Sequence, residues 1–454
     1  MHLQHHASTA HNMTQGSIIM QLVAFSLPLM LGNVFQMLYN TVDSIVVGNF
    51  VGTEALAAVG STTMIVNIMV FFFNGFSTGA TVVIARRFGA GKHDELHTAI
   101  QTTMAATFIL AVVFTVIGLL SADVMLRIIA TPEDVMDEAA TYLRIYMAGF
   151  SGLVIYNMCS GILRAVGDTT RPLYFLILTS LLNIGLDLFF VLGLNMGIDG
   201  VSYATIISQF ISAGLTLLLL TTTRDIYRMD WKDLRMDTGI LREIIGVGLP
   251  AGIQSVVTSV SNIFVQSYIN AFQSQCMAGW AAYNKLDQFI MLPMQSLAVA
   301  ATTFVSQNIG AGKGHRANKG TVLSVVLCLG ITGVIVLLVM SFAAPAVSLF
   351  TPDPAVIDYG VLFIRTNFVF LLFNCVNHVL AGALRGRGDS TAPMAIMLLS
   401  FVVIRQIYLF FMTHYVANTP ALVAFGYPVG WMSCCVIEVA YYFIRWGKKK
   451  PKTV

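Results

Sequence analysis

Charged residues are scarce in this chain. They make up 10% of its 454 residues, whereas apolar residues make up 56%. Ordinary soluble domains carry about 25% charged residues. A soluble protein of this length needs more polar groups to cover its surface, so the composition argues against a soluble enzyme, a nucleic-acid-binding protein and a disordered scaffold. We therefore expect an integral membrane protein that binds no nucleic acid.

Other common signals are also missing. The six cysteines form no C-x-x-C pair and lie in or beside apolar runs, so we expect buried hydrophobic side chains. Residues 1–16 are polar and precede no cleavable secretory segment. Two GAGK segments resemble an ATP-binding loop, but Arg86 occupies the first glycine position, and His93 or Gly314 follows the lysine. We expect no cofactor and no direct coupling to ATP.

Long apolar runs are abundant and predict helices that span a membrane. A spanning helix needs about 20 mostly apolar residues, whereas the strands of a membrane barrel are ~10-residue alternating segments. Glycine, proline and charge divide the chain into twelve such helices, numbered 1 to 12. The predicted spans are 17–47, 54–86, 95–121, 138–164, 171–193, 200–222, 240–271, 277–308, 318–347, 357–385, 391–415 and 420–446. The fold class is therefore an all-α polytopic membrane protein.

The distribution of lysine and arginine predicts the orientation in the membrane. With the amino terminus inside the cell, most of the 25 basic residues would lie on the cytoplasmic side. Four of the connections on the other side contain none; these four are 48–54, 193–200, 346–356 and 415–420. Cytoplasmic loops carry the excess of positive charge, so we expect a protein of the cell membrane with both termini in the cytoplasm.

The two halves carry the same four short motifs in the same order, which predicts an internal repeat. The matched pairs are 163–172 with 384–393 and 88–92 with 309–313 at an offset of 221 residues, 27–28 with 249–250 at 222, and 131–132 with 351–352 at 220. Each half holds six helices, an even number, so both halves insert the same way up. The prediction is two six-helix bundles related by an axis along the membrane normal, with substrate sites between them.

This division predicts the domain organisation. The longest polar stretch between apolar runs lies almost at the midpoint of the chain, which makes it the natural linker. The predicted segments are a polar tail at 1–16, an N-lobe at 17–222, a cytoplasmic linker at 223–239, a C-lobe at 240–446 and a basic tail at 447–454.

This architecture resembles the multidrug and toxic compound extrusion (MATE) family. The resemblance rests on the six-plus-six repeat, the GAGK turn after helices 2 and 8, and the LRxxGD[ST]TxP motif after helices 4 and 10, and it covers residues 17–446. It implies a secondary antiporter that expels organic cations and other amphipathic compounds, driven by an inward H⁺ or Na⁺ gradient. We expect a monomer in the lipid bilayer with small-molecule substrates.

Two acidic residues lie where charge is costly. Asp43 is four residues before the end of helix 1, and Asp187 is about 16 residues, or roughly 24 Å, into helix 5. An ionised carboxylate near the centre of a membrane helix costs ~2.5 to 3.5 kcal/mol, so each is a functional candidate. Both lie in the outer part of their helices and can share one depth. A purely architectural polar cluster is the alternative.

Polar residues accompany the two acids. Asn183 lies one helical turn before Asp187 on the same face. Thr205 in helix 6, Asn157 in helix 4 and Asn40 in helix 1 could approach from neighbouring helices. In one large branch of the MATE family, the N-lobe holds a matching set of residues in helices 1, 5 and 6. The matching residues are Pro28, Asp43, Asn183, Asp187 and Thr205.

The resemblance implies that this cluster couples transport to a cation. Two neighbouring carboxylates in a low dielectric resist ionising together, so they can take up a proton. Alternatively, both stay ionised and bind Na⁺ through hard oxygen ligands. Neutralisation would let helix 1 bend at Pro28, where the backbone lacks a hydrogen bond. In the second half, Val265 occupies the position equivalent to Asp43, and Tyr408 the position equivalent to Asp187. Because neither is an acid, we expect this cation site in the first half alone.

Other deep residues have less specific interpretations. Arg405 in helix 11 and Glu438 in helix 12 carry opposite charges and are predicted to form a structural interhelical pair, with gating or substrate contact as the alternative. Lys285 and Asp287 are expected near the start of helix 8 as a local ion pair or interface anchor. Aromatic and methionine side chains suit a cavity for flat cations. The candidate lining residues are Phe35, Met37, Tyr39, Tyr156, Tyr268 and Tyr283.

Two other functions stay open at this point. A lipid-linked saccharide flippase shares the parallel repeat, but it needs a basic central cavity, and only Arg405 is a deep base beyond the repeat-matched Arg144 and Arg365. An intramembrane serine protease could use Ser77 in the G-x-S-x-G segment at 75–79, but it needs a histidine within reach, and His378 and His414 lie in the other half. A further histidine cluster near the amino terminus could bind metal, although a disordered tail is the stronger interpretation; it comprises His2, His5, His6 and His11.

Overall fold

The apolar runs form helices, as the sequence predicts. A computed structural model describes residues 11–129 and 131–447, and within this part the secondary structure is helical without a strand. Twelve of its helices are long and apolar enough to cross a membrane. Helices 1 to 12 are Ile18–Val51, Ala57–Gly89, His93–Ile128, Glu133–Ala165, Thr170–Gly193, Ile198–Thr222, Thr238–Ile269, Ser274–Gly310, Gly314–Ser341, Pro354–Gly386, Thr391–Val416 and Pro420–Trp446. The all-α polytopic prediction is confirmed.

Parts of the predicted tails lie outside the described residues. These parts are 1–10, with His2, His5 and His6, and 448–454. Within the described part, His11 donates its backbone N–H to the carbonyl of Val166 at 3.0 Å.

Several spanning helices contain turns that are wider than an α-helix. Helix 1 ends in the π-helical turn Val47–Val51, and helix 5 ends in Phe189–Gly193. Helix 11 contains a longer π-helical segment, Leu398–Ile404, in its middle. Such segments are rare and often lie at functional sites.

The repeated sequence motifs are turn and helix-start signals. Gly91 and Gly312 in the two GAGK segments have φ angles of 68° and 72°, a left-handed conformation that glycine adopts without strain. In the first LRxxGD motif, Asp168 accepts hydrogen bonds at 3.2 Å from the backbone N–H groups of Thr170 and Arg171. This carboxylate therefore satisfies backbone donors at the start of helix 5.

Close helix packing is also repeated. The Thr81 hydroxyl of helix 2 donates to the carbonyl of Gly161 in helix 4 at 3.1 Å. At the same offset of 221 residues, the Thr302 hydroxyl of helix 8 donates to the carbonyl of Gly382 in helix 10 at 2.9 Å. A Cβ atom on Gly382 would lie 2.4 Å from the backbone oxygen of Ala298, so glycine permits this approach.

The described chain divides into two compact units. The first contains Leu27–Leu249, and the second contains Met13–Ser26 together with the chain from Pro250 onward. The sequence places the division in the linker, at 223–239. In the structure, the boundaries of the units lie within helix 1 and helix 7 instead, in each case beside one of the repeat-matched prolines.

Polar contacts within each unit hold these divided helices. In the first unit, Arg87 donates to both carboxylate oxygens of Glu243, in the first part of helix 7, at 3.1 and 3.2 Å. In the second unit, Arg316 donates to the side-chain oxygen of Gln21, in the first part of helix 1, at 2.9 Å. Met13 donates its backbone N–H to Gln307 at 2.9 Å. The first part of each divided helix therefore has its own anchors.

Candidate functional site

Helix 5 places a buried acid and a buried amide on one face. Asp187 is 0% exposed and Asn183, one turn earlier, is 2% exposed. Among the described residues, neither oxygen of Asp187 and neither polar side-chain atom of Asn183 has a hydrogen-bond partner. A buried polar group without a partner costs free energy, and an ionised one costs much more. A satisfied architectural cluster would not leave these four atoms unpaired.

Helix 1 brings a second acid to this point. The carboxyl groups of Asp43 and Asp187 are close enough to interact directly. Asp43 is half-buried, and its Oδ1 atom also lacks a donor within the described part of the chain. Two ionised carboxylates cannot donate to one another, whereas one proton shared between them supplies a hydrogen bond. The oxygen-rich donor set of Asp43, Asp187 and Asn183 also suits Na⁺. The site is therefore chemically suited to gain a proton or a small cation.

Three tyrosines lie near Asp43. Tyr39, Tyr142 and Tyr146 lie within electrostatic range of Asp43. The rings of Tyr142 and Tyr146 are stacked with centroids 6.2 Å apart. Tyr39 is among the predicted lining residues, but sequence reasoning missed the other two. Their signal was present, since two tyrosines four residues apart lie on one face of helix 4.

The remaining polar candidates make their hydrogen bonds elsewhere. Thr205 is buried, and its hydroxyl donates to the carbonyl of Val201 in its own helix at 3.0 Å. The Asn157 amide donates to the carbonyl of Leu153 at 3.0 Å. Asn40 is exposed. The structure thus brings Asp43, Asp187 and Asn183 to one location, but hydrogen bonds do not join the other three to the acids in the described structure.

Four of the six predicted cavity-lining residues lie in the first unit. Phe35, Met37 and Tyr39 in helix 1 are half-buried, as is Tyr156, whose hydroxyl donates to the carbonyl of Pro172 at 3.4 Å.

Tyr283 does not fit its predicted lining role. It is 1% exposed and stacks on Trp280 with ring centroids 4.8 Å apart, inside the hydrophobic core of the second unit. Tyr268 packs against the same core and is partly buried. An aromatic residue on a long apolar helix can serve either role, and here Tyr283 fills a core.

A cavity of about 350 Å³ lies in the first unit. It is surrounded by apolar residues of helices 2 and 3 and the first part of helix 7, among them Phe72, Phe114 and Ile245. None of the six predicted lining residues lies on its wall.

The predicted pair of Arg405 and Glu438 is not formed. Arg405 is 1% exposed, but its guanidinium donates to Asn262 at 3.1 Å and to Ser261, and the Tyr427 ring lies 5.0 Å from it. Both oxygens of Glu438 lack a hydrogen-bond partner among the described residues.

Arg405 and Glu438 do not pair because Arg405 packs against a distant level of helix 12. Its side chain lies 3.6 Å from the Cβ position of Gly430. Glu438 is eight residues further along the same helix, or about 12 Å at 1.5 Å per residue. Opposite charge on neighbouring helices does not ensure that two side chains lie at the same level.

Three further residues have clear positions. Pro28 lies inside the continuous helix Ile18–Val46. The Ser77 hydroxyl donates to the carbonyl of Asn157 at 3.1 Å, so it joins two helices as a structural group. Asp287 is half-buried and lies 13 residues after Ser274, about 20 Å into helix 8 rather than near its start.

Comparisons with known proteins agree with this architecture. The sequence model of the MatE family matches residues 28–189 and 250–411, so each matched range begins at one of the repeated prolines. The probable multidrug resistance protein YoeA of Bacillus subtilis (strain 168) is 29% identical over 435 residues, covering 94% of each chain. The probable multidrug resistance protein NorM of Thermotoga maritima is 28% identical, covering 87% of this chain and 86% of that relative.

A solved structure has the same fold. It is an outward-facing multidrug resistance MATE family transporter of the MOP superfamily, 25% identical in sequence, with a TM-score of 0.91. The alignment covers 97% of this chain and 98% of that chain. The fold of this chain is therefore shared along almost its full length with a solved transporter structure.

Proposed function

This chain belongs to the MATE family of membrane transporters, and from that membership we propose that it exports organic cations or other amphipathic compounds by H⁺ or Na⁺ antiport. As a transporter it is not an enzyme. We propose alternating access between two six-helix lobes in the cell membrane. The connections predicted to lie outside the cell contain almost no basic residues, and this supports cytoplasmic termini.

The observation that carries this proposal is the pair of Asp43 and Asp187. Their carboxyl groups interact directly, and Asp187 has no donor from the described protein although it is fully buried. Such a pair is stable with one added positive charge and costly without it. Binding of H⁺ or Na⁺ at this point therefore changes the free energy of the conformation that buries the pair.

Helix 1 offers a way to convert this change into movement. Asp43 and Pro28 lie on the same helix. Because proline has no backbone N–H, the carbonyl of Ala24 loses its helical partner, and the helix bends more easily there. Cation binding at Asp43 would shift the balance between straighter and more bent forms of helix 1, and with it the shape of the substrate cavity.

Substrate chemistry follows from the same residues. An organic cation can satisfy an unpaired carboxylate in place of H⁺ or Na⁺, and tyrosine rings attract cations through their faces. Tyr39, Tyr142 and Tyr146 beside Asp43 support such a site. The relatives named as multidrug resistance proteins support a broad substrate range. Competition for one pair of acids would couple outward drug movement to inward cation movement.

The proposal is tested with purified protein in proteoliposomes loaded with a fluorescent organic cation such as ethidium. Efflux is measured under a pure H⁺ gradient and then under a pure Na⁺ gradient. The wild type is expected to respond to at least one gradient, and Asp43→Asn and Asp187→Asn are expected to lose the response. The control is Asp134→Asn, which changes an exposed acid.

Each outcome bears on a separate part of the proposal. No response of the wild type to either gradient would remove antiport. Full gradient-driven efflux in both asparagine variants would remove the acid pair as the coupling site, even if antiport itself were established.

A further inference from the structure

Glu438 is a buried acid in the half of the protein that lacks the Asp43–Asp187 pair. It is 0% exposed and lies eight residues before Trp446, the last residue of helix 12, or about 12 Å from that end. Both of its oxygens lack a hydrogen-bond partner, and no lysine or arginine nitrogen lies within 4.0 Å among the described residues. Glu438 thus resembles Asp187, which is also a fully buried acid whose two oxygens lack a hydrogen-bond partner among the described residues.

The groups around Glu438 come from three helices. Among the described residues, the titratable groups within its electrostatic range include Cys434 and Cys435 on helix 12 and Arg385 on helix 10. Arg385 donates to the side-chain oxygen of Gln254 at 3.2 Å, so its guanidinium has another partner in this conformation. A positive charge is therefore near Glu438 without forming an ion pair.

The third helix contributes a widened turn. Ser400 of helix 11 is 0% exposed and lies beside Cys434, which is one turn before Glu438 on helix 12. Ser400 belongs to the π-helical segment Leu398–Ile404. Segments of this kind are rare and frequently lie at functional sites. The Ser400 hydroxyl therefore lies beside the turn of helix 12 that precedes Glu438.

The other half of the repeat shows that the fold does not need an acid here. At the offset of 221 residues, Glu438 corresponds to Leu217, an ordinary apolar residue. Ser400 corresponds to Thr179, whose hydroxyl accepts a hydrogen bond from Ser212 at 2.7 Å. The first half therefore packs the same region with an apolar side chain and a satisfied hydroxyl.

We propose that Glu438 is a second proton-binding site, which is neutral in this conformation and ionises when Arg385 turns towards it. An ionised carboxylate with no donor and no water is far costlier than the neutral acid. Release of the proton to water leaves a carboxylate that the Arg385 guanidinium can stabilise. A role in coupling rests on the proposed antiport, whereas proton binding itself does not.

The first experiment measures proton binding without transport. Infrared spectra of the purified protein are recorded over a range of pH, and the carbonyl band of protonated carboxyl groups is followed. Wild-type protein is expected to show a component that Glu438→Gln removes and that disappears as the pH is raised. Glu133→Gln, which changes an exposed glutamate by the same substitution, is expected to leave this component unchanged.

The second experiment measures coupling in proteoliposomes. The number of protons exchanged per ethidium is expected to fall by about half in Glu438→Gln, while the drug is still bound. Glu438→Leu, which restores the residue of the first half, is measured beside it as a second folded variant. Reduced coupling in both variants supports the proposal.

The results distinguish this proposal from the proposed antiport. A wild type with no gradient-driven efflux but with the titrating Glu438 component would remove antiport and leave the proton site standing. The proton site is overturned if Glu438→Gln leaves the carbonyl spectrum unchanged, or if its component does not respond to pH. Its coupling role is overturned if both variants keep the wild-type proton ratio.

Discussion

Gly79→Ala provides a sharp test of how helix 7 is held in the first unit. A Cβ atom on Gly79 of helix 2 would lie 2.3 Å from the carbonyl oxygen of Ile244 and 2.7 Å from the backbone nitrogen of Gly248. Carbon atoms normally approach other heavy atoms to about 3.5 Å. The two helices would therefore have to separate by about 1 Å, and backbone atoms cannot turn aside as the end of a side chain can.

The expected cost follows from that displacement. Overpacking of a close contact destabilises a protein by about 1 to 3 kcal/mol. We expect Gly79→Ala to lower the melting temperature of the detergent-purified protein by several degrees. Gly246→Ala is the control, because Gly246 lies on the same part of helix 7 and its Cβ would meet nothing within 4 Å. Alanine in an exposed helix is favoured over glycine by about 1 kcal/mol, so the control is expected to melt at or above the wild-type temperature.

The assay is thermal unfolding followed by tryptophan fluorescence, with size-exclusion chromatography to show that each variant is monodisperse before heating. Equal melting temperatures for Gly79→Ala and wild type would refute the close approach of helices 2 and 7. A matching loss in Gly246→Ala would show that helix 7 tolerates no substitution at all, and that the contact at Gly79 is not the cause.

Three other substitutions have expected outcomes in the same assay. Arg405→Gln is expected to lower the free energy of unfolding by about 2 to 3 kcal/mol, because it leaves buried hydrogen-bond partners unsatisfied. The control, Arg144→Gln, changes an exposed residue and is expected to stay within about 0.5 kcal/mol of wild type. Equal effects of the two substitutions would contradict the buried network around Arg405. Glu438→Leu is expected to raise the melting temperature, since it removes a buried acid without a hydrogen-bond partner, and leaving such a group unsatisfied costs about 1 to 3 kcal/mol; a lower melting temperature would mean that Glu438 has a stabilising partner. Gly91→Ala is expected to cost about 1 to 2 kcal/mol through its left-handed backbone alone, although the space around it is open; no loss would show that the GAGK turn can change its conformation.

The helices could be predicted from the sequence because each apolar run is long enough for a membrane-spanning helix and too long for a strand of a membrane barrel. The boundaries were less accurate where the helix is irregular. Helix 1 was predicted to end at residue 47, but it continues through the π-helical turn Val47–Val51. Apolar periodicity does not record a change from α-helical to π-helical bonding, since the side chains face lipid or protein in either case.

The acids of the candidate site could also be predicted, because intramembrane carboxylates are rare. Tyr142 and Tyr146 were missed, since aromatic residues are abundant and each has an unremarkable apolar explanation. The pair of Arg405 and Glu438 failed for a different reason. Sequence gives the helix of each residue but not its level relative to a neighbouring helix, and these two differ by about 12 Å along helix 12.

The division of helices 1 and 7 between the units could not be predicted either, because the sequence does not give the tertiary contacts of each part of a helix. The apolar pattern runs through Pro28 and Pro250 without a break. Only tertiary contacts, such as that of Arg87 with Glu243, show that the first part of helix 7 belongs to the first unit.

This division has a consequence for the two halves as separate polypeptides. A cut in the linker would leave the amino-terminal fragment without the first part of helix 7, which its own compact unit contains. The carboxyl-terminal fragment would lose Met13–Ser26 from its unit. Neither half of the chain therefore contains the whole of one compact unit, although the sequence repeat divides close to the midpoint. The boundary of the sequence repeat and the boundary of the compact units are therefore different positions in this chain.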